Sequence, residues 1–265
     1  MQRWELYSST RPRVLQGDST TKSISTVKRA RSNAFIEVLD EKFDNIELFN
    51  GRWRISDSEA GGLCSCRWSP QCIKLDESGL QLSIIQAESA GTFTSLVRRV
   101  VYGNFGLESG MLGSRVSLKT SFIKCGLYCA SIRPALFPGV VTSFILCGDG
   151  EHEITAVEFV GSSPNVAQIG HCSPGHTLHY KVEILPREDG WYQVQVEWNE
   201  RWIKWSINGL EIHSVNTGIP TTSLYPCFCL WSVNANYPPA VEWAGGFSGG
   251  NFPICAHISN FSVII

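Results

Sequence analysis

The sequence predicts an all-β protein, a jelly-roll sandwich of two antiparallel sheets with little helix. Short runs of β-branched and aromatic residues are separated by Gly, Pro, Asn and Asp, and no apolar stripe of helical period extends over ten residues between 35 and 265. Apolar residues make up 43% of the chain, with nine Trp and thirteen Phe, and only 17% are charged. That composition supplies one large core, since sandwiches of 265 residues form single domains.

The strand assignments rest on alternation with a period of two, which places one face of a strand on a core. It is clearest in four segments, 80–84, 192–198, 203–207 and 258–264. Asn208-Gly209 separates the third of these from another alternating run, 211–215. Because both residues tolerate positive φ, the pair predicts a tight hairpin.

Residues 1–34 differ in composition from the rest and are predicted to form a basic, disordered arm before a jelly-roll domain of residues 35–265. The arm has seven Lys or Arg against Glu5 and Asp18, whereas the remainder has 15 basic and 22 acidic residues. Such a polar segment buries too little apolar area to offset its ordering entropy. It is either a solvated tail or a contact for nucleic acid or another anionic surface.

The compartment is left open by the sequence. The sequence contains no run of 18 apolar residues, so it predicts no transmembrane segment. Residues 1–16 lack the basic, apolar and small-residue regions that follow one another in a signal peptide. Ten Cys would suit a secreted protein with disulfides, but Cys is also a common buried residue.

Candidate catalytic residues lie in the segment 148–161. Residues two apart in a strand share a face, so Glu153 and Thr155 point together and Glu158 would point oppositely. One extra residue in a β-bulge at Ala156-Val157 would return Glu158 to the face of Glu153. The pair would then flank one cleft on a concave sheet face.

Two carboxylates in this arrangement suit glycoside hydrolysis, in which one attacks the anomeric carbon and the other protonates the leaving oxygen. A separation of about 5 to 5.5 Å between the carboxyl groups is typical of retaining enzymes. The alternative is an ordinary solvated strand face that carries two Glu side chains.

The segment resembles the signature of glycoside hydrolase family 16 in its bulged form, Glu-x-Asp-x-x-Glu. Here Glu153 and Glu158 occupy the Glu positions, and Thr155 stands in place of Asp. The resemblance implies a concanavalin A-like fold, Glu153 as nucleophile and Glu158 as acid/base. In the family the Asp is thought to orient the nucleophile and tune the pair; a Thr hydroxyl can donate a hydrogen bond but carries no charge.

Further segments are similar to the same family in the same order, namely 126–135 with 138–146, 198–209, and 226–231 with 241–246. The last of these is most similar to the fungal cell-wall branch that joins chitin to β-glucan. By this resemblance Trp231 and Trp243 are candidates to line the groove, with core packing as the alternative. Gln168 falls where the family has a Val-Gln-Thr-Asn strand, so it is a candidate substrate-binding residue.

The resemblance implies a polysaccharide partner, β-glucan with chitin as a further candidate, and an extracellular or cell-wall location. We expect no cofactor and no metal. Cys64-x-Cys66 with Cys72, and Cys227-x-Cys229, lack the spacing of zinc ligands.

Three functions therefore remain open from the sequence. The first is a retaining glycosidase or transglycosylase that acts on β-glucan. The second is a non-catalytic carbohydrate-binding jelly roll, which Thr155 favours. The third is a structural shell or coat protein with a nucleic-acid-binding arm, because jelly rolls also build such shells.

Overall fold

The computed structural model describes residues 37–87, 110–119 and 125–265. The predicted basic arm, residues 1–34, lies outside these ranges, so the arm and the domain boundary stay predictions. The described residues form seventeen strands and two short helices, which confirms the predicted all-β class.

In chain order the strands are β1 (Glu37–Glu41), β2 (Trp53–Ile55), β3 (Ser58–Glu59), β4 (Cys66–Trp68), β5 (Ile73–Asp76), β6 (Gly79–Gln86), β7 (Met111–Leu118), β8 (Gly126–Arg133), β9 (Val140–Cys147), β10 (Glu153–Val160), β11 (Val166–Ser173), β12 (His176–Glu183), β13 (Tyr192–Trp198), β14 (Ile203–Ile207), β15 (Leu210–Val215), β16 (Tyr225–Ser232) and β17 (Ile254–Ile264). The helices are α1 (Ile46–Arg52) and α2 (Pro238–Ala244). Neither has the length and apolar character that spanning a bilayer would require.

The strands pack as two layers. In the first sheet the order is β15-β14-β13-β8-β17, and β1 and β6 pair with the other edge of β17. In the second sheet the order is β12-β11-β10-β9-β16-β7-β2. Every one of these pairings is antiparallel, as the jelly-roll prediction requires. The strand β10, which carries the two candidate carboxylates, lies inside the second sheet between β9 and β11.

Aromatic side chains from both sheets fill the space between the layers. Phe144 of β9 and Phe228 of β16 stack with ring centroids 4.8 Å apart, and both meet Phe261 of β17 in the opposite sheet. Because residues alternate along a strand, the neighbours of these Phe residues, Ser143 and Cys229 among them, point away from the core. The core thereby fixes which side chains of the second sheet face outward.

The hairpin predicted at Asn208-Gly209 is present between β14 and β15. Ile207 pairs with Leu210, which leaves Asn208 and Gly209 as the two loop residues, with φ of 53° and 78°. These positive angles explain why Asn and Gly stand there. The Asn208 side chain also accepts a hydrogen bond from the Gln193 backbone N–H, so the loop is fastened to β13.

Candidate active site

A β-bulge in β10 brings the two candidate carboxylates to one side of the sheet. Against β9, Thr155 pairs with Ile145 and Val157 pairs with Phe144, so Ala156 is an extra residue. The register against β11 shifts between Thr155 and Glu158 as well. The bulge therefore lies where the sequence places it, and it reverses the side on which Glu158 emerges.

We call the outward side of the second sheet, which carries Glu153, Thr155, Glu158 and Ser143, the site face. Glu153 is half-buried, and its Oε1 accepts a hydrogen bond from the Thr155 hydroxyl at 3.2 Å. Glu158 is only 8% exposed and accepts a hydrogen bond from the Ser143 hydroxyl at 3.4 Å. The two carboxyl groups thus have different solvation and separate hydrogen-bond donors.

The bulge is also held from the core. The Trp205 indole N–H, from β14 in the opposite sheet, donates to the Thr155 backbone carbonyl at 3.0 Å. A bulge interrupts the ladder of backbone hydrogen bonds, so a buried donor at this carbonyl stabilises the irregular backbone.

A tight loop sets the entry of the chain into β10. The Asp149 carboxylate accepts hydrogen bonds from the backbone N–H groups of Glu151 and His152 and contacts His152 Nδ1 at 2.9 Å. The hydrogen bond from His152 lowers the pKa of Asp149 below its ordinary value. Gly148 is required here, because a Cβ would lie 2.6 Å from the His152 carbonyl oxygen. Together these contacts fix the residue that directly precedes Glu153.

The predicted substrate-binding residues Trp231, Trp243 and Gln168 cluster beside Glu158. The two indole rings stack with centroids 5.9 Å apart, and Trp243 Nε1 donates to Gln168 Oε1 at 2.6 Å. Gln168 pairs with Glu158 in the register of β11 and β10. Trp231 is 6% and Trp243 9% exposed, so this stacked pair, which we call the Trp wall, presents little accessible surface at its end of the site face. Their role in substrate binding stays a prediction.

Ser143 is a residue that sequence reasoning missed. Its hydroxyl accepts a hydrogen bond from Trp231 Nε1 at 3.2 Å and donates to Glu158, which links the Trp wall to the candidate acid/base. Alternation along β9 assigns Ser143 to one of the two faces of that strand, but it does not identify the side chains that share this face. The strand order was needed to show that this face is shared with Glu158 and Trp231.

A sequence model of the family described as glycosyl hydrolases family 16 matches residues 63–251, more than half of the chain. The chain belongs to glycosyl hydrolases family 16. The match includes the whole of β10 and the cluster around it, although it assigns no role to an individual residue.

Curated relatives of this family-16 chain agree with the assignment. A Crh-like protein of Candida albicans is 28% identical over 78% of this chain, which spans 44% of that protein. A beta-glucanase of Paenibacillus macerans is 28% identical over 79% of this chain and 82% of its own length.

Solved structures show the same fold. The Bacillus licheniformis beta-glucanase superposes with a TM-score of 0.70 at 20% identity and covers 85% of this chain and 96% of its own. The laminarinase catalytic domain of Thermotoga maritima gives a TM-score of 0.69 at 15% identity, with coverage of 87% and 98%. This likeness confirms the concanavalin A-like jelly roll of the family.

Proposed function

We propose that this family-16 chain is a retaining glycoside hydrolase or transglycosylase that acts on β-glucan, with Glu153 as nucleophile and Glu158 as acid/base. The observation that carries the proposal is the bulge at Ala156, because it directs both carboxylates of β10 to the same face of the sheet. Beta-glucanases among the relatives support the choice of substrate class.

The surroundings of the two carboxyl groups suit this division of roles. Thr155 donates its hydroxyl to Oε1 of Glu153, which orients the carboxylate that would attack the anomeric carbon. Glu158 is the more buried group and would donate a proton to the leaving oxygen. In the second half of the reaction it would take a proton from the incoming nucleophile.

Hydrolysis and transfer differ in the nucleophile that enters in the second half of the reaction. It is water in hydrolysis and a sugar hydroxyl in transfer. The likeness to a Crh-like protein leads us to include chitin oligomers as acceptors in the proposal. The deciding experiment is incubation of purified protein with laminarin and lichenan, with and without chitin oligomers, followed by resolution of the products. We expect shortened glucans with retained anomeric configuration, and mixed oligomers when an acceptor is present.

The variants Glu153→Gln and Glu158→Gln test the assigned roles, since neither amide can replace its carboxylate. Glu197→Gln is the matched control, because Glu197 is an exposed strand residue of the opposite sheet. Both site variants should lose activity by about 10³-fold or more, as expected for removal of essential groups. Unchanged turnover in either variant would refute its assigned role.

A second candidate is a carbohydrate-binding protein without efficient chemistry. It is favoured by Thr155, because the hydroxyl beside Glu153 carries no charge. Titration calorimetry with the same glucans separates the two candidates. Binding without any product, in the wild type and after prolonged incubation, would favour this second function over the first.

A further inference from the structure

Three cysteines and one arginine meet on the site face next to the carboxylate pair. Cys227 and Cys229 lie on β16, Cys147 ends β9, and Arg115 lies on β7 directly opposite Cys229. The sulfur atoms of Cys227 and Cys229 are 3.6 Å apart. Cys147 pairs with Glu153 in the register of β9 and β10, so the cluster borders the candidate nucleophile.

The charge of Arg115 makes this cluster unlike an ordinary group of buried thiols. Its Nε lies 3.4 Å from the Cys227 sulfur and its Nη2 lies 4.0 Å from the Cys147 sulfur. In the described residues no carboxylate forms an ion pair with Arg115. A guanidinium cannot give up its proton, so a partly buried one favours an anion at its side. The Cys227 and Cys147 sulfurs, at these distances, are placed to carry that anion.

Cys227 is the sulfur best placed to hold the negative charge. Hydrogen bonds from Cys147 and Cys229, and then the charge of Arg115, hold the pKa of Cys227 well below the ordinary thiol range. The same contacts raise the pKa of Cys147 and Cys229, and the Cys227 charge raises that of Arg115. The contacts with Arg115 and the two neighbouring thiols thus favour negative charge on Cys227 over Cys147 and Cys229.

We propose that Cys227 is a peroxide-reactive thiolate and that Cys229 converts its oxidised form into a Cys227–Cys229 disulfide. The Cys227 sulfur attacks one oxygen of hydrogen peroxide, the O–O bond breaks, and the hydroxide that leaves takes a proton from solvent. Cys227 is then a sulfenic acid. The Cys229 sulfur attacks it, forms the S–S bond and releases the Cys229 proton and the sulfenic hydroxyl as water. Two sulfurs are oxidised and the peroxide is reduced to two molecules of water.

The geometry of β16 suits Cys229 as the thiol that reacts with the oxidised Cys227. The two sulfur atoms are 3.6 Å apart. Residues two apart in a strand have Cα atoms roughly 6.6 Å apart, at the upper end of the range of about 4.4 to 6.8 Å that a disulfide bridges, so bond formation draws the two residues closer. Cys227 has no exposed surface, whereas Cys229 is 5% and Cys147 7% exposed. An oxidant of nearly the size of water suits such narrow access, so peroxide fits and bulky thiol reagents do not.

Cys66 provides the internal control. It is buried to a similar degree, but burial raises its pKa to about 12 and no cation contributes to that shift. If burial alone governed oxidation, Cys66 and Cys227 would react alike. The proposal requires Cys227 to react far faster.

The test treats the folded, reduced full chain with hydrogen peroxide, blocks remaining thiols in denaturant and maps the peptides by mass spectrometry. We expect a Cys227–Cys229 linkage, seen as two peptides that stay joined after cleavage at Phe228 and separate on reduction, while Cys66 remains a thiol. In Cys229→Ser the sulfenic acid should persist on Cys227 and be trapped by dimedone when this reagent is added together with the denaturant. Cys66→Ser should oxidise as the wild type does.

Arg115→Gln removes the cation, and the smaller thiolate fraction should slow oxidation of Cys227 at neutral pH by about tenfold or more. Arg115→Lys keeps the charge and should oxidise faster than Arg115→Gln. The wild type gives an independent measurement, because its peroxide rate should level off at a pH below the ordinary thiol range. Cys227 that stays reduced, a linkage to Cys147, or a rate unchanged in Arg115→Gln would each overturn the proposal. These readouts need no glucan, so they are independent of the proposed glycosidase activity.

Discussion

The Trp205 indole N–H donates to the Thr155 carbonyl oxygen across the core, at 3.0 Å. The bond joins β14 of one sheet to the bulge in β10 of the other, two residues from Glu153. The orientation of the candidate nucleophile thus depends on a side chain from the opposite layer.

Trp205→Phe should therefore destabilise the protein beyond the loss of ring volume. A buried carbonyl left without its donor costs about 1 to 3 kcal/mol. Trp198→Phe is the matched control, because Trp198 is equally buried and its Nε1 has no hydrogen-bond partner in the described residues. Urea unfolding of both variants measures the difference. Equal losses of unfolding free energy would show that the bond to Thr155 contributes nothing.

Ser143→Ala should alter the pH–rate profile more than the fold. The variant removes the hydroxyl that joins Trp231 to Glu158, so Glu158 loses a donor that favours its carboxylate form. We expect the basic limb of the profile to move to higher pH and turnover to fall by about tenfold, a loss at the lower end for general acid–base catalysis. Ser131→Ala, at a buried strand position of the opposite sheet, is the control. A profile superimposable on that of the wild type would exclude Ser143 as a positioning residue.

Thr155→Asp and Thr155→Val test the neutral residue between the two Glu residues. Asp can orient Glu153 and adds a charge to the pair, so glucan turnover should rise. Val keeps the shape but removes the donor to Glu153, so turnover should fall. Glu153→Gln should abolish activity in every background. If Thr155→Asp folds normally and neither it nor the wild type cleaves any glucan or chitin oligomer, the enzyme proposal fails.

Stability should fall on mild acidification because of two histidines on β11 and β15, the buried His171 and the half-buried His213. Burial lowers the pKa of His171 and His213 from the ordinary value of 6.5. Between the lowered values and 6.5 the unfolded chain binds more protons than the folded one, so stability is complete above 6.5 and is lost as pH falls.

The measurement is the free energy of urea unfolding between pH 8 and pH 5, flanking the histidine range of about 6.5. His213→Phe should flatten the dependence, because Phe can fill the space beside Tyr180 and Trp205 without titrating. A wild-type stability that rises on acidification would contradict the assignment.

The sequence by itself determined the features of this protein that depend only on residues adjacent in the chain. Alternation with a period of two located β6, β13, β14 and β17, and Asn208-Gly209 located a turn, because side-chain direction and turn geometry are properties of adjacent residues. The resemblance to glycoside hydrolase family 16 then located Glu153 and Glu158, and their odd spacing required the bulge that the register shows.

Only the tertiary structure decided which strands became neighbours. Ser143 meets Trp231, and Arg115 meets Cys227 and Cys147, because β16 inserts between β7 and β9, far from them in the chain. Trp205 reaches Thr155 only because two sheets pack face to face. Such contacts follow from burial of apolar surface, which depends on the whole chain and leaves no local signal in the residues that finally touch.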